Sequence, residues 1–336
     1  MNRKLPVISV VITAHDRKQY LLNAVNSILN QTLKRDLFEI LVVKNYKDPV
    51  IDDFLKDHGI KGVLTEESSF GVKLALGIKA SSGDIISFLD DDDSFTPDKL
   101  ERVFKSFSEN TDMNYFHNGI VLMNENGSIK RDKGELEGHG PINILKTPIG
   151  NFSELRDLSK YRGDWYMSCI SIKRDSFLPF ADFIGSISAS LDRIFFIISI
   201  NLPGLIMMDS RRLTQYRLHQ STTGLKSEFS DYCNRKMGFF KRTLNSIQAA
   251  ESLQELSVVS KEYISFQIAH NEANKMLYDL NSGRLKRSRV LVSLLRTYNK
   301  TKDRIYLLIG SILLFSIVSP KSVIFIHYLY QFSRIT

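Results

Sequence analysis

Four consecutive aspartates, Asp90 to Asp93, interrupt the stretch IISFLDDDDSFTP between Ile85 and Pro97. Adjacent carboxylates repel one another, and an apolar strand gains no stability by ending in four of them. Clustered carboxylates serve as ligands for a hard cation, as acid–base pairs, or as a solvated loop. Mg2+ and Mn2+ take oxygen ligands, usually one or two carboxylates together with substrate phosphates. A strand sends alternate side chains to opposite faces, so Asp90 and Asp92 can point one way while Asp91 points another. Asp-x-Asp at a strand end is thus a candidate divalent-cation site, with an acidic loop as its alternative.

The elements that position these residues follow from periodicity. VISVVI (7–12) is a β-branched run, expected of a strand buried on both faces of a parallel sheet. Gln19–Thr32 has apolar residues at helical spacing. FEILVVK (38–44) is a second strand, DPVIDDFLKDHGI a short helix, and KGVLTEE a third strand. FGVKLALGIKASSG is a helix, and DIISFL a fourth strand. Strand and helix alternating over about 90 residues predict a doubly wound α/β sheet. Such sheets bind ligands beyond the carboxyl ends of their strands. Further on, a helix is expected at PDKLERVFKSF, a hairpin around Asn124–Ser128, and strands in WYMSCISIKRDSF and GLIMMDSRRLTQYRLH. The helix SASLDRIFFIISI lies between those two strands, and 228–281 reads as helical.

Composition narrows the class. With 336 residues, 43% hydrophobic and 24% charged, the chain is ordinary globular material with room for about two domains. Its two cysteines, Cys169 and Cys233, form no disulfide framework or CxxC metal site and suit a reducing compartment. The apolar run near the N-terminus is too short for a signal peptide. The net charge of +8 is unevenly spread: residues 284–336 hold ten basic residues and one acid, so the preceding 283 carry −1. A nucleic-acid enzyme more often spreads basic residues along its working face, so no nucleic-acid partner is expected. A basic tail beside apolar stretches points to a membrane surface.

VISVVITAHDRKQYLLNAVNSILNQT followed by SSGDIISFLDDDDSFTPDKL resembles the start of family 2 glycosyltransferases, which have the GT-A fold. The matching features are Ser27–Gln31 (S-x-x-x-Q), Gly83–Asp93 and Pro97. The resemblance is close over about 100 residues and thinner to about Gly224. It implies a Rossmann-like mixed sheet, followed here by a C-terminal α-helical region. It also implies Asp90 at the ribose or metal, Asp92 as main ligand of Mg2+ or Mn2+, and Asp93 in support. Asp91 falls to the nucleotide side or to solvent. Thr13, His15, Asp16 and Arg17 match the loop beside the nucleotide. Where the family shows V-V-D-D-G-S, this chain has VVKNYKD, so Lys44 and Asn45 replace acids and Lys44 is expected to approach a phosphate.

The same resemblance places a catalytic base in an acidic pair that opens a helix about 100 residues after the metal motif. Asp192 occupies that position, with Leu191 replacing the usual Glu; Asp182 is the next candidate. TQYRLHQSTTG (214–224) resembles a Y-R-x-H segment, giving Arg217 a diphosphate role and His219 a role as third metal ligand. Trp165 is either a sugar-stacking or a core residue.

The expected organisation is a nucleotide-sugar half (1–110), an acceptor half (111–227), a helical region (228–283) and a membrane-associating tail (284–336). The expected activity is inverting transfer from a nucleotide-diphosphate sugar to a glycan or lipid-linked acceptor, peripheral or monotopic on the cytoplasmic membrane face. The alternatives are a sugar nucleotidyltransferase, for which TAHDRKQY lacks loop glycines, and a non-catalytic carbohydrate- or cation-binding module. For the tail, Ile305–Ser319 spans only about 22 Å as a helix, short of a roughly 30 Å hydrocarbon core. Two short apolar helices around Pro320–Lys321 therefore read as monotopic or re-entrant, with packing on the catalytic domain as the alternative.

Overall fold

The computed structural model describes residues 7–16, 18–130, 142–152, 154–155, 163–218, 229–280, 287–301 and 306–309. The chain divides into two compact units, Met1–Thr222 and Thr223–Thr336.

The first unit is built on a mixed sheet. Its strands are β1 (Ile8–Ala14), β2 (Phe38–Lys44), β3 (Lys61–Leu64), β4 (Ile85–Asp90), β5 (Ser94–Phe95), β6 (Met113–Met123), β7 (Ile142–Thr147), β8 (Ile170–Lys173) and β9 (Gly204–Arg217). They run in the order β3-β2-β1-β4-β8-β6-β9-β5, with β7 also paired to β9. The first four are mutually parallel, and the direction reverses where β4 meets β8. Every residue of β1 is buried, as the β-branched run predicts.

Three helices connect the parallel half, α1 (Leu21–Leu29), α2 (Pro49–Asp57) and α3 (Phe70–Ala80), and α4 (Lys99–Glu109) leads from β5 to β6. Leu21, Ala24, Val25 and Ile28 put the apolar stripe of α1 into the same core as Ile8, Val10, Val42 and Leu89. The Asp48 side chain caps α2 by accepting from Ile51 N–H at 3.1 Å, with Pro49 in its first turn. Gly77 lets α3 lie close on β1, because a Cβ there would meet Val11 Cγ1 at 2.3 Å.

The S-x-x-x-Q pattern has a mechanical role. The Ser27 hydroxyl accepts from Phe95 N–H at 3.0 Å. The Gln31 side-chain amide donates to the carbonyls of Thr96 at 2.7 Å and Ser27 at 2.9 Å, and its oxygen accepts from Leu100 N–H at 2.8 Å. Thr32 N–H donates to the Pro97 carbonyl at 2.8 Å. These bonds fasten residues 95–100, just past the aspartates, to the end of α1. They also explain why α1 stops at Leu29 rather than running to Thr32.

The turn at Asn124–Ser128 forms, with Asn124 N–H on the Ser128 carbonyl at 2.8 Å, and the chain returns antiparallel at Ile129 opposite Met123, after which the expected arm passes outside the described residues. One local expectation is corrected. The 228–281 stretch is two helices, Phe229–Ala249 and Val258–Leu280, parted by a 3-10 turn at Ala250–Ser252 and by Glu255 at φ 56°.

In the second unit, Ala273 and Leu277 pack with Val290 and Leu294 of the helix Arg287–Thr301 and with Tyr306 and Ile309. The Tyr306 hydroxyl lies 2.5 Å from His270 Nδ1. The start of the apolar tail is therefore core material of this unit, and the rest of the tail lies outside the described residues. Among the described residues, no helix is long and apolar enough to cross a membrane.

Gln31→Leu should leave Thr96 C=O and Leu100 N–H without these partners and destabilise the first unit by about 2–3 kcal/mol. Urea unfolding followed by fluorescence of Trp165, the only tryptophan, reads this unit. An unchanged midpoint would refute the clamp.

Candidate active site

β4 lies between β1 and β8, at the reversal of strand direction, and ends on Asp90. The chain then turns and crosses to pair, through β5, with Thr214 and Gln215 of β9. Carboxylate oxygens of Asp90, Asp92 and Asp93 lie within 4.8 Å of one another. Asp91 points elsewhere and accepts from His15 N–H at 3.3 Å, in line with strand alternation.

The turn is held by bonds from distant elements. Asp93 accepts from Arg217 N–H at 2.9 Å and from the Ser168 hydroxyl at 2.6 Å. Asp90 N–H donates to the same hydroxyl at 3.0 Å. Beneath it, the buried Lys99 ammonium donates to the Ser168 carbonyl at 2.5 Å and to Thr214 Oγ1 at 2.9 Å, 3.6 Å from the Phe95 ring centroid.

Negative charge is poorly compensated here. Burial, then Asp93, Asp92 and Asp91, holds the Asp90 carboxyl well above the usual range. Burial and Asp92 push Asp93 up to about 7, opposed by its bonds from Ser168 and Arg217 and by Lys99. Burial pulls Lys99 down to about 7. An all-oxygen donor set with excess negative charge fits a hard divalent cation. Asp90 and Asp92 are the residues best placed to hold it, since both Asp93 oxygens already accept protein hydrogen bonds.

Thr13 is buried on β1, level with Asp90 on one side and Val43 on the other. His15 Nδ1 lies 2.9 Å from the Lys73 ammonium, and His15 Nε2 lies 3.4 Å from an Asp16 oxygen. Asp16, at φ 52°, is clamped to Asn45: its N–H donates to Asn45 Oδ1 at 3.2 Å, and Asn45 Nδ2 donates back at 2.8 Å. Arg17 and His219 lie outside the described residues.

Two expected phosphate contacts find other partners. Lys44 is buried, 2.7 Å from Asp52 Oδ1 and 2.5 Å from the Tyr46 carbonyl. A buried ammonium needs a counter-charge, and α2 supplies it. Arg217 is buried too: its guanidinium donates to the carbonyls of Asp92 at 2.8 Å and Glu125 at 2.7 Å and lies 4.5 Å from the Tyr20 ring centroid. It braces the acidic turn from behind.

Asp192 stands in the first turn of the helix Leu191–Asn201, after Ser190 at φ 53°. Its oxygens accept from Tyr166 N–H at 3.1 Å and Arg193 N–H at 2.9 Å. Burial pushes its carboxyl up to about 6; Arg193 opposes this and Asp164 adds to it. Asp164 and Arg193 form an ion pair at 3.1 Å. Asp192 is also among the charges that raise Asp90, so the two carboxyls are near enough to interact electrostatically. The 164–166 segment is anchored by buried His117, which burial holds down to about 4 and whose Nε2–H donates to the Trp165 carbonyl at 2.7 Å. Trp165 is half-buried and lies edge-on to Tyr166, which packs against Tyr216. Asp182 is surface-exposed and paired with Lys79, a poor setting for a base.

Sequence reasoning missed Lys73, Lys99 and Ser168. Lys73 left a signal, since it sits on the same buried helical stripe as Leu74 and Gly77. Ser168 left none.

These features define a GT-A glycosyltransferase fold with a carboxylate cluster at the end of its central parallel strand. Residues 9–171, just under half of the chain, match the profile described as Glycosyl transferase family 2. It is 25% identical over 228 residues to the O-antigen biosynthesis glycosyltransferase WbnJ of Escherichia coli, covering 66% of this chain and 83% of that one. It is 27% identical over 198 residues to an uncharacterized glycosyltransferase of Rickettsia bellii, covering 56% of this chain and 28% of that one. The matches cover from 20% to 46% of the length of the first five curated relatives. The crystal structure of S. aureus TarS 1–349 superposes with a TM-score of 0.54 at 13% identity, over 88% of this chain and 79% of that one. Its complex with UDP-GlcNAc gives 0.51 at 14% identity, over 89% and 90%. At these identities the structural likeness establishes the fold.

The environment of Asp192 has a testable consequence. Its folded pKa of about 6 lies above the roughly 3.9 of an unfolded Asp. Its contribution to stability is therefore complete below about pH 4 and is lost as pH rises through 6. Asp192→Asn lacks this titration, so the melting temperature of the metal-free variant should gain on wild type between pH 4 and 7. Parallel profiles across that range would contradict the assignment.

Proposed function

We propose that this chain is a metal-assisted, inverting glycosyltransferase that moves a sugar from a nucleoside diphosphate sugar to an acceptor hydroxyl. The observation that carries this reading is the Asp90–Asp92–Asp93 cluster within electrostatic reach of Asp192, whose carboxyl burial pushes up to about 6. The TarS complex with UDP-GlcNAc supports a nucleoside diphosphate sugar as donor. The O-antigen role named for WbnJ supports an envelope polysaccharide precursor or lipid-linked glycan as acceptor.

In this reading Asp90 and Asp92 hold Mg2+ or Mn2+, and His219 remains a candidate third ligand. When bound, that cation stabilises negative charge on the departing diphosphate. Thr13, His15 and Asp16 border the nucleotide, with Asp91 fixing the His15 main chain and Arg17 completing the loop. Asp192 takes the proton of the acceptor hydroxyl. The acceptor oxygen then bonds to the anomeric carbon as the bond from that carbon to the diphosphate oxygen breaks, on the opposite face. The nucleoside diphosphate leaves, and the proton remains on Asp192. With a pKa of about 6 the base is ionised at neutral pH, so turnover should fall as pH drops through 6.

Asp92→Ala should abolish Mn2+-dependent binding of UDP in calorimetry. Asp192→Asn should keep donor binding within about twofold and lower kcat by about 10²–10⁴. Near-wild-type turnover in Asp192→Asn would place the base elsewhere. Metal and nucleotide binding without any transfer would favour a non-catalytic module.

The proposed site of action is the cytoplasmic membrane face, reached through the basic tail 284–336. Each basic residue near an anionic leaflet contributes about 1 kcal/mol before screening. Full-length chain should pellet with membranes and resist extraction by salt alone, and deletion of 284–336 should release it. Recovery of the intact chain in the soluble fraction from the outset would overturn this localisation.

A further inference from the structure

We propose that Ser168 is a positioning residue that sets the acidic turn in cation-binding register, a role that rests on the metal reading above. Ser168 is fully buried in the 3-10 turn Met167–Cys169 that leads into β8. Its hydroxyl oxygen accepts from Asp90 N–H at 3.0 Å while its proton goes to Asp93 Oδ2 at 2.6 Å. One hydroxyl thus joins the first and last residues of the four-aspartate run.

That hydroxyl is itself held in place. The Ser168 carbonyl accepts from the Lys99 ammonium at 2.5 Å and from Thr214 Oγ1 at 3.0 Å. Thr214 Oγ1 in turn accepts from Lys99 at 2.9 Å and from Asn118 Nδ2 at 2.9 Å. Four like-charged side chains would otherwise spread apart. A hydroxyl fixed from below keeps Asp90 and Asp93 at a set spacing before any cation arrives. Groups that orient metal ligands in this way typically matter 10–100-fold in metal affinity.

The test compares two buried serines. Ser171, on β8, pairs its hydroxyl with that of Ser87 at 2.7 Å, away from the acidic turn. Mn2+ binding is measured by electron paramagnetic resonance of the free ion, alone and with UDP, together with the metal-free melting temperature. Ser168→Ala should raise the Mn2+ Kd about tenfold or more. Ser171→Ala should lose comparable thermal stability and leave that Kd within twofold. A Ser168→Ala Kd within twofold of wild type, or an equal shift in Ser171→Ala, would overturn the proposal. If Ser168→Ala does not fold, Ser168→Cys decides: it keeps the shape with a weaker donor, should raise the Kd severalfold, and an unchanged Kd counts against the role. Absence of Mn2+ binding in the unaltered chain would instead refute the metal reading.

Discussion

Repulsion within the acidic turn is the constraint that the first unit is arranged around. Asp90, Asp92 and Asp93 bring oxygens within 4.8 Å of one another at the end of a buried strand. Left alone, that arrangement would open or take up protons. Every nearby element supplies something against this. β9 gives Arg217 N–H and its guanidinium, the turn before β8 gives Ser168, α4 gives Lys99, and α1 secures the chain just beyond through Ser27 and Gln31. The opposing groups are mostly hydrogen-bond donors of the main chain and neutral side chains. Such donors steady the turn and leave much of its charge unneutralised, as the raised carboxyls of Asp90 and Asp93 indicate.

The sheet topology explains how one small region gathers residues so far apart in the chain. The parallel half ends its strands at Ala14, Lys44 and Asp90, on neighbouring positions of adjacent strands. The reversal at β8 brings the 164–168 segment to the same edge, and β9 returns to lie beside the acidic turn through β5. Asp192 enters from a separate helix, and its carboxylate is aimed by main-chain N–H groups of Tyr166 and Arg193. Tyr166 and Ser190 both have positive φ, an uncommon conformation for such residues that holds where surrounding structure enforces it. Both flank the candidate base.

How much of this was legible depended on the range of the interaction. The parallel strands and their helices were readable because their periodicity is local, and the aspartate run because its spacing needs no partner to be noticed. Ser27 and Gln31 were recognisable as a pattern, but their clamp on residues 95–100 became visible only once the chain was folded. Lys44 and Arg217 took their expected phosphate roles from motif position, which does not show what answers a charge; Asp52 and the carbonyls of Asp92 and Glu125 answer these two. Ser168 was invisible because both partners of its hydroxyl lie more than seventy residues away. Lys99 drew no comment within the helix expected at PDKLERVFKSF, although it is entirely buried.

The departure after β2 reads differently once its partners are known. Lys44 and Asn45 stand where the family pattern has acids, a change that would be expected to invert the charge of the rim. Lys44 is buried and its charge is answered by Asp52 within the protein. Asn45 keeps the geometry without the charge, joining Asp16 through both of its amide atoms. A cation does enter from another direction, since Lys73 on α3 reaches both His15 Nδ1 and Asn45 Oδ1. His15 Nε2 lies 3.4 Å from Asp16, so both ring nitrogens already have partners within the protein. The loop that the family resemblance sets beside the nucleotide is thus tied together by Lys73 and Asn45, where acids would have offered only acceptors.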